Sequence, residues 1–258
     1  MHVVITAGGI PRPDESLFAF TKGGYKAMLD VAGKPMVQWV LDALNATPRI
    51  GRIVVVGMPP IEMLKSEKPL TFLPSRGDIL NNIQAGALEL LRQDTTTQQF
   101  LAASADVPGI SAEMINWIID RVNESDRDLY YLVIERKAME QRFPESKRTY
   151  LHLKDIEVCG GDVNAARATI FQNTNPLWRK IIETRKSPIK QALALGFDTM
   201  LLIMLRAISL AQTERRVCKR LGVTGRVIPC PYAELGMDVD KSFQYEIMQH
   251  DLARLHAA

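Results

Sequence analysis

The chain has 258 residues, 47% of them hydrophobic, and its 32 basic residues nearly balance its 29 acidic ones. This length and apolar content suffice for a complete core, so we expect one large α/β domain or a domain with a small appendage. The net charge of +3 argues against a protein that coats nucleic acid, but it is compatible with a local basic pocket for phosphates. Three scattered cysteines without a CxxC pair disfavour a disulfide framework and a structural zinc site.

We expect neither an export signal nor a membrane span. The apolar run that begins at Val3 is short and has no basic segment before it. The longest apolar run, Met200 to Leu205, ends at Arg206, far below the ~20 residues that cross a bilayer, and we expect it to lie in the core. These patterns predict a soluble, cytoplasmic protein that acts without a membrane or a nucleic acid.

Apolar runs typical of buried strands alternate with amphipathic segments through the first half of the chain. The predicted strands are Val3–Thr6, Arg52–Gly57, Phe100–Ala103 and Leu129–Glu135. The predicted helices are Pro35–Leu44, Ile79–Leu91 and a helix that is capped by Ser111 and runs to Val122. This alternation favours a mostly parallel sheet covered by helices on both faces, which makes a three-layer α/β sandwich.

The second half of the chain is less regular. Residues Tyr150–Val158 alternate between apolar and polar and predict an edge or antiparallel strand. Helical spacing with a capping box at Ser209 predicts a helical subdomain over 176–222, inside a single domain that spans 1–258. This block is a candidate for an acceptor lid or for the surface of a homodimer. The remaining predicted elements are a strand around Arg226–Ile228 and a helix over Ser242–Leu255.

A glycine turn, Ala7-Gly8-Gly9, follows the first predicted strand and precedes an unusually long polar loop over residues 10–24. Backbone N–H groups in such a turn can approach phosphate oxygens closely, because no Cβ intervenes. The turn matches neither a GxGxxG fingerprint nor a GxxxxGK[ST] loop, so an ordinary tight turn is the alternative interpretation.

An aspartate, Asp106, stands just past the third predicted strand, and Pro108 follows it. In open α/β sheets the active site lies at the carboxyl ends of the strands, so Asp106 and the glycine turn are expected at the same edge. A carboxylate in this position suits Mg²⁺, which takes few protein ligands and leaves room for phosphate oxygens. The alternative is a turn aspartate that merely precedes a helix.

Lys26 begins the pattern Lys-x-x-Leu-x-x-x-Gly-Lys-Pro-Met, which ends at Met36 and leads into an amphipathic helix. Together with the glycine turn, this pattern resembles the start of the MobA-like NTP transferases, nucleotidyltransferases with the GT-A-like fold of the nucleotide-diphospho-sugar transferases. The similarity runs from Met1 to about Ser125 and returns over Gly236–Leu252. The family has a further glycine and an arginine after the glycine pair, where this chain has Ile10-Pro11-Arg12.

The resemblance implies a role for individual residues. Asp106 occupies the second position of the family's D-x-D-x-P segment, whose first aspartate is Ser104 here, and Asp240 aligns with the partner carboxylate in D-V-D-T-P-E-D-L. Asp238 is the alternative to Asp240. The implied catalytic residues are Lys26, Asp106, Asp240 and Arg12, with Asp106 and Asp240 as ligands of Mg²⁺. The implied nucleotide-binding residues are Ala7, Gly8, Gly9, Lys26, Arg76, Asn82 and Gly86.

The activity implied by the resemblance is the transfer of a nucleoside monophosphate from an NTP to a phosphorylated small-molecule acceptor, with release of pyrophosphate. Lys147 and Arg148 are candidates for holding the acceptor phosphate, with an ordinary basic surface loop as the alternative. A glycosyltransferase on the same fold and a non-catalytic nucleotide-binding protein are the two other hypotheses. The sequence names neither the acceptor nor the base.

Overall fold

The computed structural model describes residues 1–172 and 197–256 of the chain, and within these ranges a mixed, mostly parallel sheet forms the centre of the molecule. The strands are β1 His2–Thr6, β2 Asp30–Val31, β3 Lys34–Pro35, β4 Ile53–Val56, β5 Leu70–Leu73, β6 Gln99–Ser104, β7 Leu129–Glu135, β8 Leu151–His152, β9 Glu157–Gly160, β10 Val163–Arg167 and β11 Gly225–Cys230. The helices are α1 Phe18–Thr21, α2 Met36–Asn45, α3 Ile79–Gln93, α4 Ala112–Asn123, α5 Arg136–Arg142, α6 Phe197–Met204, α7 Leu210–Leu221 and α8 Ser242–His256.

The strand order of the sheet is β5-β4-β1-β6-β10-β7-β9-β8, and β11 pairs with β7. Strands β5, β4, β1 and β6 are mutually parallel, so their carboxyl ends meet at one edge. Strand β10 runs antiparallel between β6 and β7, and therefore its first residue lies at that same edge. The predicted α/β class and the mostly parallel sheet are confirmed. The carboxyl ends of β1 and β6 and the first residue of β10 lie together at this edge.

Helices cover both faces of the sheet. On one face, α3 packs on Val4 and Val54, and on the other face α2 and α4 pack on alternate residues of the same strands, such as Ile5 and Val55. The strands are buried on both faces, which is why they appear in the sequence as continuous apolar runs. The three-layer arrangement follows from this pattern.

Two predictions for the second half need correction. The segment Tyr150–Val158 is not one strand, because its alternation spans the separate strands β8 and β9, which pair antiparallel around a turn. The run Met200–Leu205 does not lie in the core, since Leu201, Met204 and Leu205 are exposed on or just after α6. The helical subdomain predicted for 176–222 lies partly outside the described residues, which contain α6 and α7 of it.

Helix α7 bears out the local signals that predicted it. Ser209 caps it in a complete capping box with Gln212, and Gly222 ends it in a left-handed conformation. None of the helices in the two described ranges is both long enough and apolar enough to cross a membrane.

Candidate active site

Backbone hydrogen bonds bring four distant chain segments to the carboxyl ends of β1 and β6. The glycine turn is tied to β4 through Ala7 N, which donates to Val56 O at 2.8 Å. Lys26 N donates to Gly9 O at 2.8 Å, which returns the long loop to the turn. Val239 N donates to Asp106 O at 3.0 Å, and this bond attaches the segment before α8 to the end of β6. The backbone alone therefore brings the glycine turn, Lys26, Asp106 and the segment with Asp240 together.

The Lys26 ammonium lies between two carboxylates. Its Nζ is 2.5 Å from Asp106 Oδ2 and 2.5 Å from Asp240 Oδ1. The side chains of Lys26 and Asp106 are only 17% and 13% exposed, whereas that of Asp240 is 59% exposed. The cluster is thus closed on the Asp106 side and open to solvent on the Asp240 side.

The charge of Lys26 is held firmly in this cluster. Burial by itself would lower the pKa of the ammonium, but the opposite charges of Asp106 and Asp240 and their hydrogen bonds outweigh it and raise the pKa above its usual value. Lys26 is therefore a permanent cation, suited to binding phosphate rather than to proton transfer at neutral pH.

One carboxylate oxygen of Asp106 is unpaired among the described residues. Its Oδ1 is buried and has no hydrogen-bond partner among the described residues, although a buried carboxylate oxygen ordinarily has one. Carboxylate oxygens are the ligands that Mg²⁺ prefers, and this ion is commonly held by one or two carboxylates with phosphate and water completing its shell. Asp106 and Asp240 fit that role. Within the described residues, no group of three or more His, Cys, Asp or Glu side chains has the spacing of a metal site.

The two aspartates before α8 have different partners, although both face the edge of the sheet. Asp240 contacts Lys26, whereas Asp238 forms an ion pair with Arg148, and both side chains of this second pair are mostly buried. Asp238 is thereby neutralised inside the fold. Of the two carboxylates that the sequence left open, Asp240 is the one that shares a cation with Asp106.

Asp162 is a site residue that the sequence analysis did not assign. Ser104 N donates to Asp162 O at 2.9 Å, so the turn before β10 is attached to the end of β6 next to Asp106. Desolvation raises the pKa of the Asp162 carboxyl to about 7, and the neighbouring charge of Asp106 adds to this, while Arg148 opposes it. Its Oδ2 is buried without a hydrogen-bond partner among the described residues. Its place after Gly160-Gly161 indicates a turn, but no local signal in the sequence assigns a role to its carboxyl.

The glycine turn owes its shape to a close backbone contact. Gly57, after β4, has φ +114°, and a Cβ on it would lie 2.4 Å from Gly8 Cα. Any side chain at Gly57 would therefore displace the turn. Gly9 is exposed and lies beside the Lys26 side chain, and both line a cavity of about 490 Å³ together with Asp240. This cavity gives small molecules access to the open side of the cluster.

The family sequence model of the MobA-like NTP transferase domain matches residues 3–224 of this chain, a span that includes the glycine turn, Lys26 and Asp106. The chain belongs to the MobA-like NTP transferase family. No curated protein sequence shows a significant match to it.

Solved structures share the fold of this chain. A structure described as a hypothetical transferase from Thermus thermophilus is 31% identical, with a TM-score of 0.82, and the match covers 95% of this chain and 98% of that one. Two more distant structures share the fold at 14% identity, each with 98% of both chains covered. They are a CMP:2-keto-3-deoxy-manno-octonic acid synthetase in complex with CTP, with a TM-score of 0.63, and a 2-C-methyl-D-erythritol 4-phosphate cytidylyltransferase from Thermus thermophilus, with a TM-score of 0.54.

Arg12 lies apart from the cluster in this MobA-like transferase. Its guanidinium pairs with carboxylates of its own loop, at 3.2 Å from Glu15 and 3.6 Å from Asp14, and its side chain is 71% exposed. The structure therefore does not bring Arg12 together with Lys26 and Asp106. Its role as the family's arginine stays a prediction.

The three residues predicted to recognise base and ribose differ in their placement. Asn82 is buried at the start of α3, and its Oδ1 accepts a hydrogen bond from Arg76 N at 2.7 Å, while the Arg76 side chain is exposed. A Cβ on Gly86 would lie 2.4 Å from Val4 Cγ1 in β1. Gly86 thus lets α3 approach the sheet. This contact explains the glycine by packing alone, and the role of Gly86 in nucleotide binding stays a prediction.

Arg148 also needs a new interpretation in this transferase. The sequence suggested that Lys147 and Arg148 together hold an acceptor phosphate, but the ion pair with Asp238 already engages Arg148. Lys147 lies 5.3 Å above the Phe243 ring and is exposed. The two neighbouring cations therefore have different contacts, and Arg148 stabilises the structure of the site through its ion pair with Asp238.

Proposed function

We propose that this protein transfers a nucleoside monophosphate from an NTP to a small, phosphorylated acceptor and releases pyrophosphate. The observation that carries the proposal is the Lys26 ammonium between Asp106 and Asp240, at the sheet edge where the glycine turn also lies. This combination offers positive charge and backbone N–H groups for phosphates, and hard oxygen ligands for a divalent cation.

Each group in the cluster has a distinct task in this proposal. The exposed backbone at Gly9 receives the triphosphate, and Lys26 stabilises the negative charge that builds up on the α-phosphate and the departing pyrophosphate. Asp106 and Asp240 hold Mg²⁺. When bound, this ion supplies neutralising charge to the phosphate oxygens. The acceptor oxygen attacks the α-phosphate in line, so the reaction requires no nucleophile from the protein.

The family assignment favours this function over the two other hypotheses. A glycosyltransferase would use a nucleotide sugar and release a nucleotide, not pyrophosphate. A non-catalytic protein would bind an NTP without turnover. The presence of Asp106, Asp240 and Lys26 in one cluster supports a catalytic site rather than a remnant of one, because the three residues come from distant parts of the sequence.

A binding screen followed by an activity assay tests the proposal. Thermal unfolding is measured with each of the four NTPs in the presence of Mg²⁺, and a nucleotide at about a hundred times its dissociation constant stabilises the fold by ~2.7 kcal/mol. Pyrophosphate release is then measured against a panel of phosphorylated acceptors. We expect one base to be preferred and release to depend on an acceptor. Sugar transfer without pyrophosphate release, or NTP binding without any turnover across the panel, would contradict the proposal.

A further inference from the structure

Lys26 occupies the space that the proposed divalent cation needs. Its Nζ stands 2.5 Å from one oxygen of Asp106 and 2.5 Å from one oxygen of Asp240. A Mg²⁺ ion holds its oxygen ligands at about 2.0–2.1 Å. An ion bound by both aspartates would therefore occupy nearly the same position as the ammonium. Both cannot lie between the same two carboxylates.

The negative charge around this position exceeds what one ammonium neutralises. Asp106 and Asp240 together carry two charges against the single charge of Lys26, and Asp106 Oδ1 is buried without a partner among the described residues. Asp162 Oδ2 is a second buried oxygen without a hydrogen-bond partner among the described residues. Its carboxyl lies close enough to interact electrostatically with both Asp106 and Asp240. Arg148 also acts on Asp162, but its charge is already paired with Asp238. The position therefore suits a cation of higher charge than a lysine.

The cavity beside the cluster offers Lys26 another place. Gly9, Lys26 and Asp240 line it together, and a lysine side chain has a flexible four-carbon stem that can swing its ammonium over several ångströms. Gly9 lies beside that stem, and even a Cβ there would make only ordinary contact with Lys26 Cε, at 3.8 Å. A triphosphate received at the glycine turn would attract the ammonium away from the carboxylates.

We propose that Lys26 is a resident cation that holds the Asp106–Asp240 position until nucleotide phosphates draw it away, so that nucleotide and divalent cation bind together and not one by one. This inference rests on the proposed function for the identity of the nucleotide and the ion. It adds an order of events: without nucleotide, a divalent cation must displace a paired ammonium and binds weakly, whereas with nucleotide Lys26 has phosphate as its new partner. Such mutual support between two ligands is a coupling free energy.

The test measures divalent-ion binding in the absence of turnover. Mn²⁺ serves as the probe, because the free ion is counted directly by electron paramagnetic resonance. Lys26→Met removes the charge and keeps the length of the side chain, and Lys34→Met is the matched control, since Lys34 pairs with Asp42 at 2.6 Å, in an ion pair separate from the cluster. Without nucleotide, we expect K26M to bind Mn²⁺ at least tenfold more tightly than the wild type, and K34M to bind it as the wild type does.

Two further arms locate the effect. The double variant K26M/D106N should lose the gain in Mn²⁺ affinity, because the carboxylate that the ion uses is gone. A non-hydrolysable NTP analogue should raise the Mn²⁺ affinity of the wild type by a larger factor than that of K26M, in which the ammonium no longer competes. Lys26→Gln provides a second neutral variant if K26M folds poorly, as checked by circular dichroism.

Equal Mn²⁺ affinities in wild type, K26M and K26Q would overturn the inference, as would a gain that survives D106N. These results are separate from the test of the proposed function. Nucleotidyl transfer by the wild type, with no gain in K26M, would leave the proposed function intact and remove only the resident-cation role. A clear gain in K26M, with no transfer to any acceptor, would remove the proposed function and keep the role of Lys26.

Discussion

The sheet edge carries two groups of charged residues, the Lys26–Asp106–Asp240 cluster and the Arg148–Asp238 pair, and their exposure differs. In the cluster at the ends of β1 and β6, Lys26 pairs with an Asp106 side chain that is 13% exposed and with an Asp240 side chain that is 59% exposed and lines an open cavity. In the second group, Arg148 and Asp238 form a pair whose side chains are only 17% and 14% exposed. Charges that a ligand can reach are able to exchange partners, whereas enclosed charges are tied to the fold.

The physical reason for this difference is desolvation. A charge removed from water is costly unless a partner compensates it, so breaking an enclosed pair destabilises the protein strongly. A pair at the open side of a cavity loses less when it separates, because water or a ligand replaces the partner. We therefore expect substitutions in the Lys26 cluster to alter mainly turnover and substitutions in the Arg148–Asp238 pair to alter mainly stability.

The largest effect is expected at Asp106. Asp106→Asn keeps the shape of the side chain but removes a charge that the proposed reaction requires, and it should lower the rate of pyrophosphate release about a hundredfold or more. The Lys26–Asp106 pair is as enclosed as the Arg148–Asp238 pair, but Lys26 keeps Asp240 as its partner in this variant, so D106N should destabilise the fold less than R148M does. Near-normal turnover of D106N on the preferred NTP and acceptor would refute the assigned role.

Arg148→Met should have the largest effect on stability. It leaves Asp238 mostly buried without its partner, and urea unfolding should show a loss of about 3 kcal/mol. The double variant R148M/D238N should recover part of this loss, because it removes the uncompensated charge as well. If R148M is as stable as the wild type but releases pyrophosphate much more slowly, Arg148 acts in the reaction together with the Lys26 cluster instead.

Asp162 should make the stability depend on pH. Its pKa is about 7 in the folded protein and near the ordinary value of 3.8 when unfolded, so the folded state binds the proton more tightly. The stabilising contribution of this proton is fully present below about pH 4 and is lost as the pH rises to about 7, by on the order of a few kcal/mol. The variant Asp162→Asn has no titrating carboxyl at this position, so its stability does not fall in this way as the pH rises.

Urea unfolding of the wild type and D162N between about pH 4 and 8, in metal-free buffer, measures the contribution of Asp162. The difference in free energy of unfolding should grow in favour of D162N up to about pH 7 and then stay constant. Parallel curves over the whole range would show that Asp162 ionises normally in the folded protein.

Gly86→Ala separates packing from nucleotide recognition. The new Cβ would meet Val4, so we expect a loss of about 1–2 kcal/mol even after the gain in helix propensity that alanine brings. The Michaelis constant for the NTP should stay unchanged, and the companion substitution Val4→Ala should relieve the overpacking. A raised Michaelis constant at unchanged stability would support the predicted role of Gly86 in nucleotide binding.

Arg12→Ala should have the smallest effect. Because the guanidinium is exposed and pairs within its own loop, the free energy of unfolding should change by less than about 0.5 kcal/mol and the transfer rate by less than about tenfold. A loss near a hundredfold would mean that Arg12 leaves Glu15 and joins the phosphates during the reaction, as the resemblance implies.

The sequence alone determined most of the elements and several of the site residues. The strand Leu129–Glu135 was predicted with the bounds that the structure shows, and the helix capped by Ser111 differs at its end by one residue. Asp106 and the glycine turn were expected at one edge, because parallel strands with buried faces place their carboxyl ends together. These features depend on residues only a few positions apart, so local periodicity and capping signals are enough to predict them.

Only the tertiary structure decided how the charges are paired. Lys26 meets partners that are 80 and 214 positions away, and Asp162 reaches the cluster because β10 enters the sheet antiparallel between β6 and β7. The same applies to Asp238, which Arg148 engages, and to Gly86, which faces β1. No local pattern encodes the order and direction of strands, since these depend on how complete faces pack. Burial and partners therefore separate the carboxylates that we propose to be reactive from the structural ones.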